Sequence, residues 1–307
     1  MTSIPVPASR STLNANLMCM ASMVVWAAAL PAADFLIGNV PPVALTAMRM
    51  GLAGLSLLPV WWLAEGRGAL RGANWIKGIG VGALFSLGAL FLVLAQARTD
   101  AVTVAVIAAL LPVIGMGIEV VLDGRRITTV LVLGIGLSLA GGLLAYAAKL
   151  DEFGLGFGAL AALLSNLTYA AGSRLSVTAF PAMTPLGRSA LTLCGAGIAA
   201  TLTLGLQTAT VGSGEWGVFG WQQAAALAMF SICGMSLCQI LWIASIDKLG
   251  LGVSSLHINA ASFYVMFFAW LLGSPWNWVQ AAGALIVGLG VLVAQGMIPI
   301  GSRRAGT

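Results

Sequence analysis

The sequence predicts an all-α integral membrane protein with ten transmembrane helices, arranged as an inverted five-plus-five repeat. Three observations predict it. Hydrophobic residues make up 60% of the 307 residues and charged residues only 7%, against about 25% charged in an ordinary soluble domain. With so few charges no fold can cover its surface with polar groups, so the solvent for most of that surface is lipid. The apolar residues fall into ten runs, and a bilayer core of about 30 Å takes about 20 apolar residues of helix. The chain also matches itself at a fixed shift, Val104 falling on Val253 and Gly124 on Gly273.

The runs are 13–37, 42–63, 74–96, 101–122, 128–147, 155–174, 186–206, 221–244, 250–272 and 277–299. The first holds Trp26 and ends before Pro41-Pro42, which opens the second. Lys77 and Gln96 blur the ends of the third, and Asp123-Gly124 closes the fourth. The fifth is nearly uncharged, and the sixth ends at Arg174. Pro181 and Pro185 precede the seventh, Gly212-Ser213-Gly214 the eighth, and Gly273-Ser274-Pro275 separates the ninth from the tenth. Gly and Pro clusters of this kind mark turns. Ala27 through Ala32 has the look of a signal-peptide cleavage region. It is read as part of a retained span, because the apolar stretch is long for a signal peptide and its loss would leave an odd number of spans.

The net charge of +5 is scattered at the ends of apolar runs, which excludes a nucleic-acid surface and marks topology determinants. With the N-terminus inside, Arg10, Arg67, Arg71, Lys77, Arg125, Arg126, Arg174, Arg188, Lys248, Arg303 and Arg304 fall on the cytoplasmic side and only Arg98 and Lys149 outside. Both termini are therefore expected in the cytoplasm, in a bacterial inner membrane. Trp61, Trp62, Trp75 and Trp242 sit near inner ends, and Trp216, Trp221, Trp276 and Trp278 near outer ends, as interfacial belts do. Trp26 sits near mid-span. Cys19, Cys194, Cys233 and Cys238 lie inside apolar runs without metal or redox spacing, and read as core fillers.

At the repeat shift Gly124 falls on Gly273, Gly134 on Gly283 and Gly141 on Gly290. Spans four and five land on nine and ten. The two units are 1–149 and 150–307, within one membrane domain and with no soluble domain. Five spans is an odd number, so the halves are inverted, as in many secondary transporters, whose sites lie near the midplane between the halves.

Trp26 through Pro31, Pro41-Pro42, Ala47-Met48-Arg49, Ala95 through Arg98, Ala109 through Pro112 and Gly134 through Gly141 follow one another in an order and spacing that resembles the EamA-type branch of the drug/metabolite transporter superfamily. The resemblance covers roughly residues 13–297. It implies ten helices, an inverted repeat, a central cavity lined by spans one, three, four, six, eight and nine, and export of amino acids, other small metabolites or drugs. The chain departs from the family pattern at Gly124-Arg125 and Gly273-Ser274, where a Gly-Glu pair is common. It departs also at Ala261, in the place of a proline, and at Asp34, in the place of a basic residue.

Polar side chains inside lipid are costly and are candidates for function. Asp34 and Arg49 lie about seven residues either side of the Pro41-Pro42 turn, which puts them at similar depth, roughly 10 Å in at 1.5 Å per residue. They read as a mutually neutralising pair, or else as a gate or a site for a zwitterion. Glu119 reads as snorkelling to the inner surface near Arg125 and Arg126, or as a coupling or cation-binding residue. His257 is either a hydrogen-bonding residue between helices or a proton-linked switch. Asn166 and Tyr169 share a face of span six, and Asn259 and Ser262 share a face of span nine. With Trp26 these form the expected solute cavity, with interhelical hydrogen bonding as the other reading. Ser86, Gln96 and Gln239 are further lining candidates.

No catalytic motif, metal set or nucleotide fold is present, so no enzyme, cofactor or metal is expected. The expected function is secondary active or exchange transport of small amphiphilic metabolites such as amino acids, by an exporter working through alternating access. The expected partners are the small-molecule substrate and membrane lipid, in a monomer or homodimer. The alternatives are a multidrug or quaternary-amine cation exporter, which needs Glu119 or Asp34 as its acid, and a membrane-embedded scaffold or enzyme without transport.

Overall fold

The computed structural model describes residues 10–99, 101–124, 126–146, 156–273, 275–276 and 278–294. Among these residues all regular structure is helical, in ten rods. They are α1 (Arg10–Ile37), α2 (Pro42–Gly72), α3 (Trp75–Arg98), α4a (Ala101–Ala108) with α4b (Leu111–Asp123), α5 (Thr129–Tyr146), α6 (Phe157–Thr178) and α7 (Pro185–Thr210). The eighth rod is α8a (Trp221–Ala228), a π-helical stretch (Met229–Leu237) and α8b (Cys238–Leu249). The ninth is α9a (Leu251–Ser255), a 3-10 stretch (Leu256–Ala260) and α9b (Ala261–Leu271), and the last is α10 (Trp278–Ala294). Lys149, Asp100, Asp151, Glu152, Arg125, Ser274, Arg303 and Arg304, the boundary between the two expected units and the side chains of Arg10 and Ser262 lie outside the described residues.

The ten apolar runs thus correspond to ten helical rods, with ends displaced by a few residues. Six rods, α1, α2, α3, α7, the eighth and the ninth, contain helix long and apolar enough to cross a membrane. The second run extends furthest beyond its expected end, because α2 continues to Gly72 across a break at Gly66, where φ is 79°. That left-handed value is one glycine adopts without penalty.

The most extensive packing is of α5 on α10, α1 on the eighth rod, α2 on α7, and α3 on α6 and α7. The α2–α3–α7 seam is backbone on backbone. A Cβ added to Gly82 would lie 2.3 Å from the Ala196 nitrogen, and one added to Gly195 would lie 2.3 Å from the Gly78 carbonyl oxygen. Small residues let membrane helices approach this closely, and dispersion replaces the hydrophobic drive that lipid cannot supply. Trp61 is wholly buried beside this seam, 6.2 Å from Trp75 between ring centroids. Trp242 is wholly buried too, its Nε1 donating to Ser173 Oγ at 3.0 Å. These two rings are core residues, which corrects their placement in an interfacial belt; Trp62, Trp221 and Trp278 are exposed as a belt requires. The four cysteines are free, Cys19 and Cys238 fully buried.

The rod ends that meet at the N-terminal end of α1 are bonded to one another. Ser245 Oγ donates to the Ala15 carbonyl at 3.1 Å, and Cys19 Sγ to the Ser254 carbonyl at 3.2 Å. Arg188 is buried and meets Asp247 at 2.7 Å and the Phe180 and Pro181 carbonyls. Arg174 pairs with Asp123, and that hydrogen bond holds the Asp123 carboxyl below the usual range.

The seam makes an expectation of its own. Gly82→Ala and Gly195→Ala each lower thermal stability in detergent, by about 1–3 kcal/mol for overpacking. Gly80→Ala, whose added methyl meets nothing within 4 Å, leaves stability unchanged or raises it through helix propensity. Circular-dichroism melting curves of the three variants check this; equal midpoints for all three would remove the seam argument.

Candidate solute cavity

Three rods depart from α-helical geometry at mid-length, and the departures face one another. In the fourth, Pro112 has no N–H to offer the Ala108 carbonyl, and the helix breaks at Leu110. The freed Ile107 carbonyl accepts from Leu110 N at 3.0 Å and from Asn166 Nδ2 at 2.8 Å. In the eighth rod the π-helical stretch carries Phe230, Gly234 and Met235 inward. In the ninth the 3-10 stretch buries His257, Ile258 and Asn259. Non-helical backbone at membrane depth persists only where protein or a cavity shelters it.

Between these breaks lies a narrow cavity lined from all three rods by Ala108, Leu111, Gly234, Met235 and Ile258. Its aromatic wall is Trp26, Phe85 and Tyr169, with Met23 and Met235 beside them. Tyr169 meets Phe85 edge-on at 5.4 Å between centroids, and its hydroxyl donates to Gln239 Oε1 at 2.9 Å. The polar groups in the wall are Ser165, Asn166 and Arg49. Ser165 Oγ is engaged with the Gly88 carbonyl at 2.8 Å, tying α6 to α3. Polar groups at a few fixed points in a mostly aromatic pocket suit a small amphiphilic solute.

The cavity brings together Trp26, Asn166 and Tyr169. Gln239 stands behind the wall as the partner of Tyr169, its Nε2 without a hydrogen-bond partner. Asn259 is 1% exposed with both amide atoms unpartnered, one residue beyond Ile258, which lines the cavity. His257 is buried on the same 3-10 stretch. Ser86 does not belong to this cavity. It faces a separate groove with Thr46 and Thr203, between α2, α3 and α7, because it stands about 100° around the helix from Phe85.

The expected Asp34–Arg49 pair is not made. Asp34 Oδ1 accepts from Gln96 Nε2 at 2.6 Å, joining α1 to α3. The Arg49 guanidinium sits 3.8 Å over the Phe230 ring, with Nη2 3.7 Å from Met235 Sδ. Similar depth on a hairpin did not bring the side chains together, because α2 turns Arg49 toward the eighth rod. Glu119 is buried at 6% exposure, not snorkelled. Its Oε1 accepts from the Gly252 N–H at 3.0 Å, at the first turn of α9a, where an anion is favoured. Sequence reasoning offered Arg49 as a site residue only jointly with Asp34, whereas the cavity wall includes Arg49 without Asp34. One signal was readable: the only acid on α2 is Glu65, far along the helix, so Arg49 has no partner on its own helix.

Residues 13–147 match the EamA-like transporter family. An uncharacterized transporter, YyaM, of Bacillus subtilis (strain 168) is 26% identical over 302 residues, spanning 94% of this chain and 95% of its own. One solved crystal structure superimposes with a TM-score of 0.73, over 92% of this chain and 96% of that one, at 22% identity. At that identity the likeness speaks to fold alone.

A double-mutant cycle on stability separates the two partnerships of Asp34. Asp34→Ala with Gln96→Ala is expected to couple by about 0.5–3 kcal/mol, as for residues in contact. Asp34→Ala with Arg49→Ala is expected to be additive within about 0.5 kcal/mol. Strong coupling in the second cycle would restore the ion pair.

Proposed function

We propose that the chain, whose residues 13–147 match the EamA-like transporter family and which is similar over most of its length to an uncharacterized transporter, is a multi-pass membrane transporter that exports small amphiphilic metabolites such as amino acids across a bacterial inner membrane by alternating access. The observation that carries this reading is the cavity walled by Trp26, Phe85 and Tyr169 at the convergence of three broken rods. Broken helices surrounding a site near the midplane are a transporter device.

The packing supports the inverted repeat. A two-fold relation carrying spans one to five onto six to ten makes α2–α7 and α5–α10 self-paired, and both are among the large interfaces. It also makes α3–α6 the counterpart of α1 against the eighth rod, and both are extensive. The rod ends around the start of α1 carry Arg67, Arg71, Lys77, Arg126, Arg174, Arg188 and Lys248, which supports a cytoplasmic placement of that end. On this reading the bonds Glu119–Gly252, Cys19–Ser254 and Ser245–Ala15 form the inner closure. Opening inward requires them to break together while the α2–α3–α7 seam stays intact. Energy comes from solute gradients, exchange or protons.

The cation-exporter alternative is weakened by the commitments of its two candidate acids. Asp34 is bonded to Gln96, Glu119 to the α9a backbone, and neither lines the cavity.

Counterflow exchange in proteoliposomes tests the reading, using the protein amino acids in one arm and tetraphenylphosphonium in the other. Exchange of amino acids with none of the cation is the expected result; the reverse would favour the cation exporter. Trp26→Ala is expected to cut exchange at least roughly tenfold, the loss of about 1.4 kcal/mol, while the protein still folds. Asn166→Ala also leaves the second bond to the Ile107 carbonyl unmade, so it lowers stability by about 1–3 kcal/mol as well. For topology, a cysteine replacing Ser213 is expected to react with an impermeant maleimide added outside intact cells, and one replacing Ala182 is not. Reversed labelling would invert the orientation.

A further inference from the structure

Two arginines among the described residues are deeply buried, and they are treated differently. Arg188 is 3% exposed and is met by Asp247 and two carbonyls. Arg49 is 2% exposed, its Nε has no hydrogen-bond partner, and no carboxylate among the described residues lies within ion-pair distance of it. Its neighbours are an aromatic face and a thioether, Phe230 and Met235. A guanidinium stays charged at any physiological pH and offers five N–H donors in a planar fork. Burying that charge against a ring and a sulfur compensates it only in part. Arg49 is also part of the cavity wall, together with the rings of Trp26, Phe85 and Tyr169.

We propose that Arg49 is the anchor for an anionic head group, and that the preferred solute is an apolar or aromatic monocarboxylate whose body lies among Trp26, Phe85, Tyr169 and Met23. This rests on the reading of the cavity as the solute site. The fork of Arg49 matches a carboxylate bidentately, and such charge-assisted pairs are the strong ones. The described wall holds no acid to receive an ammonium group, so an amino group on the solute is met only by carbonyls, amide oxygens and ring faces. A carboxylate is therefore required and an amine is optional. Both protein contacts of Arg49 belong to the π-helical stretch. A carboxylate that draws the guanidinium off Phe230 thus loosens the eighth rod at its irregular segment, a kind of segment frequent at functional sites.

The test uses the detergent-solubilised full chain and three isosteric probes, phenylpropionate, phenylpropionamide and phenylpropylamine, with binding read by tryptophan fluorescence and thermal shift. Phenylpropionate is expected to bind at least roughly tenfold tighter than the amide, with no measurable binding of the amine, in line with a charge-assisted pair. In Arg49→Met the carboxylate loses its advantage and binds no better than the amide. That variant is also expected to be at least as heat-stable as the parent, since it removes a buried charge that no protein acid balances. Arg49→Lys is expected to keep the preference for the anion in weakened form. Equal binding of carboxylate and amide to the parent protein, binding of the amine, or failure of all three probes to bind would overturn the anchor, as would an Arg49→Met variant that keeps the preference. Amino-acid counterflow distinguishes the two readings: exchange persisting without anion preference sinks the anchor alone, and Arg49-dependent binding without any exchange sinks the transporter reading alone.

Discussion

In hydrocarbon no water is at hand to satisfy a peptide N–H or C=O, so every departure from regular helix needs a local substitute partner. That constraint organises this molecule. The breaks in the fourth, eighth and ninth rods are not spread over the lipid-facing surface; they gather at one depth, around one cavity. The Ile107 carbonyl, displaced by the break before Pro112, is satisfied by Asn166 from a different helix. The side chain that gives the cavity its amide also repairs the backbone that shapes it. The shape of the cavity and the integrity of the helix are therefore coupled at Asn166, and a change made for one alters the other.

Electrostatics follow from the same setting. Charges in the core are few, and Glu119 and Arg188 are met locally, by the first turn of α9a and by Asp247. Each of these contacts ties two rods. Arg49 differs in having only induced and quadrupolar partners, Met235 and Phe230. It is the position in the wall where an incoming charge meets an uncommitted opposite charge.

How much of this was legible in the sequence depended on the length scale of the signal. Apolar runs of twenty or more residues give the ten rods within a few residues, because helix length in a bilayer is fixed by thickness. Trp26, Asn166 and Tyr169 were legible as wall residues because depth and helical face suffice to place them. Trp61 and Trp242 were misread, since position near a span end does not distinguish a ring facing lipid from one turned into the bundle. The π-helical stretch at Met229–Leu237 carries no proline or glycine pair to announce it, and it packs against α1 and α2, contacts that local sequence does not encode. The Asp34–Arg49 pairing failed for a related reason. Depth along two helices is a one-dimensional coordinate, and contact depends also on how each helix is rotated about its axis.

The backbone seam between α2, α3 and α7 bears on how such a protein changes over generations. At Gly82 or Gly195 every single-step replacement adds at least a methyl group into space already held by another main chain, so no gradual path leads away from glycine there. The cavity wall is built from Met23, Leu92, Met235 and aromatic rings, which tolerate changes in small increments of volume. The scaffold is thus locked while the lining is free to drift. New cavity shapes become reachable by ordinary point mutation without passing through an unfolded intermediate.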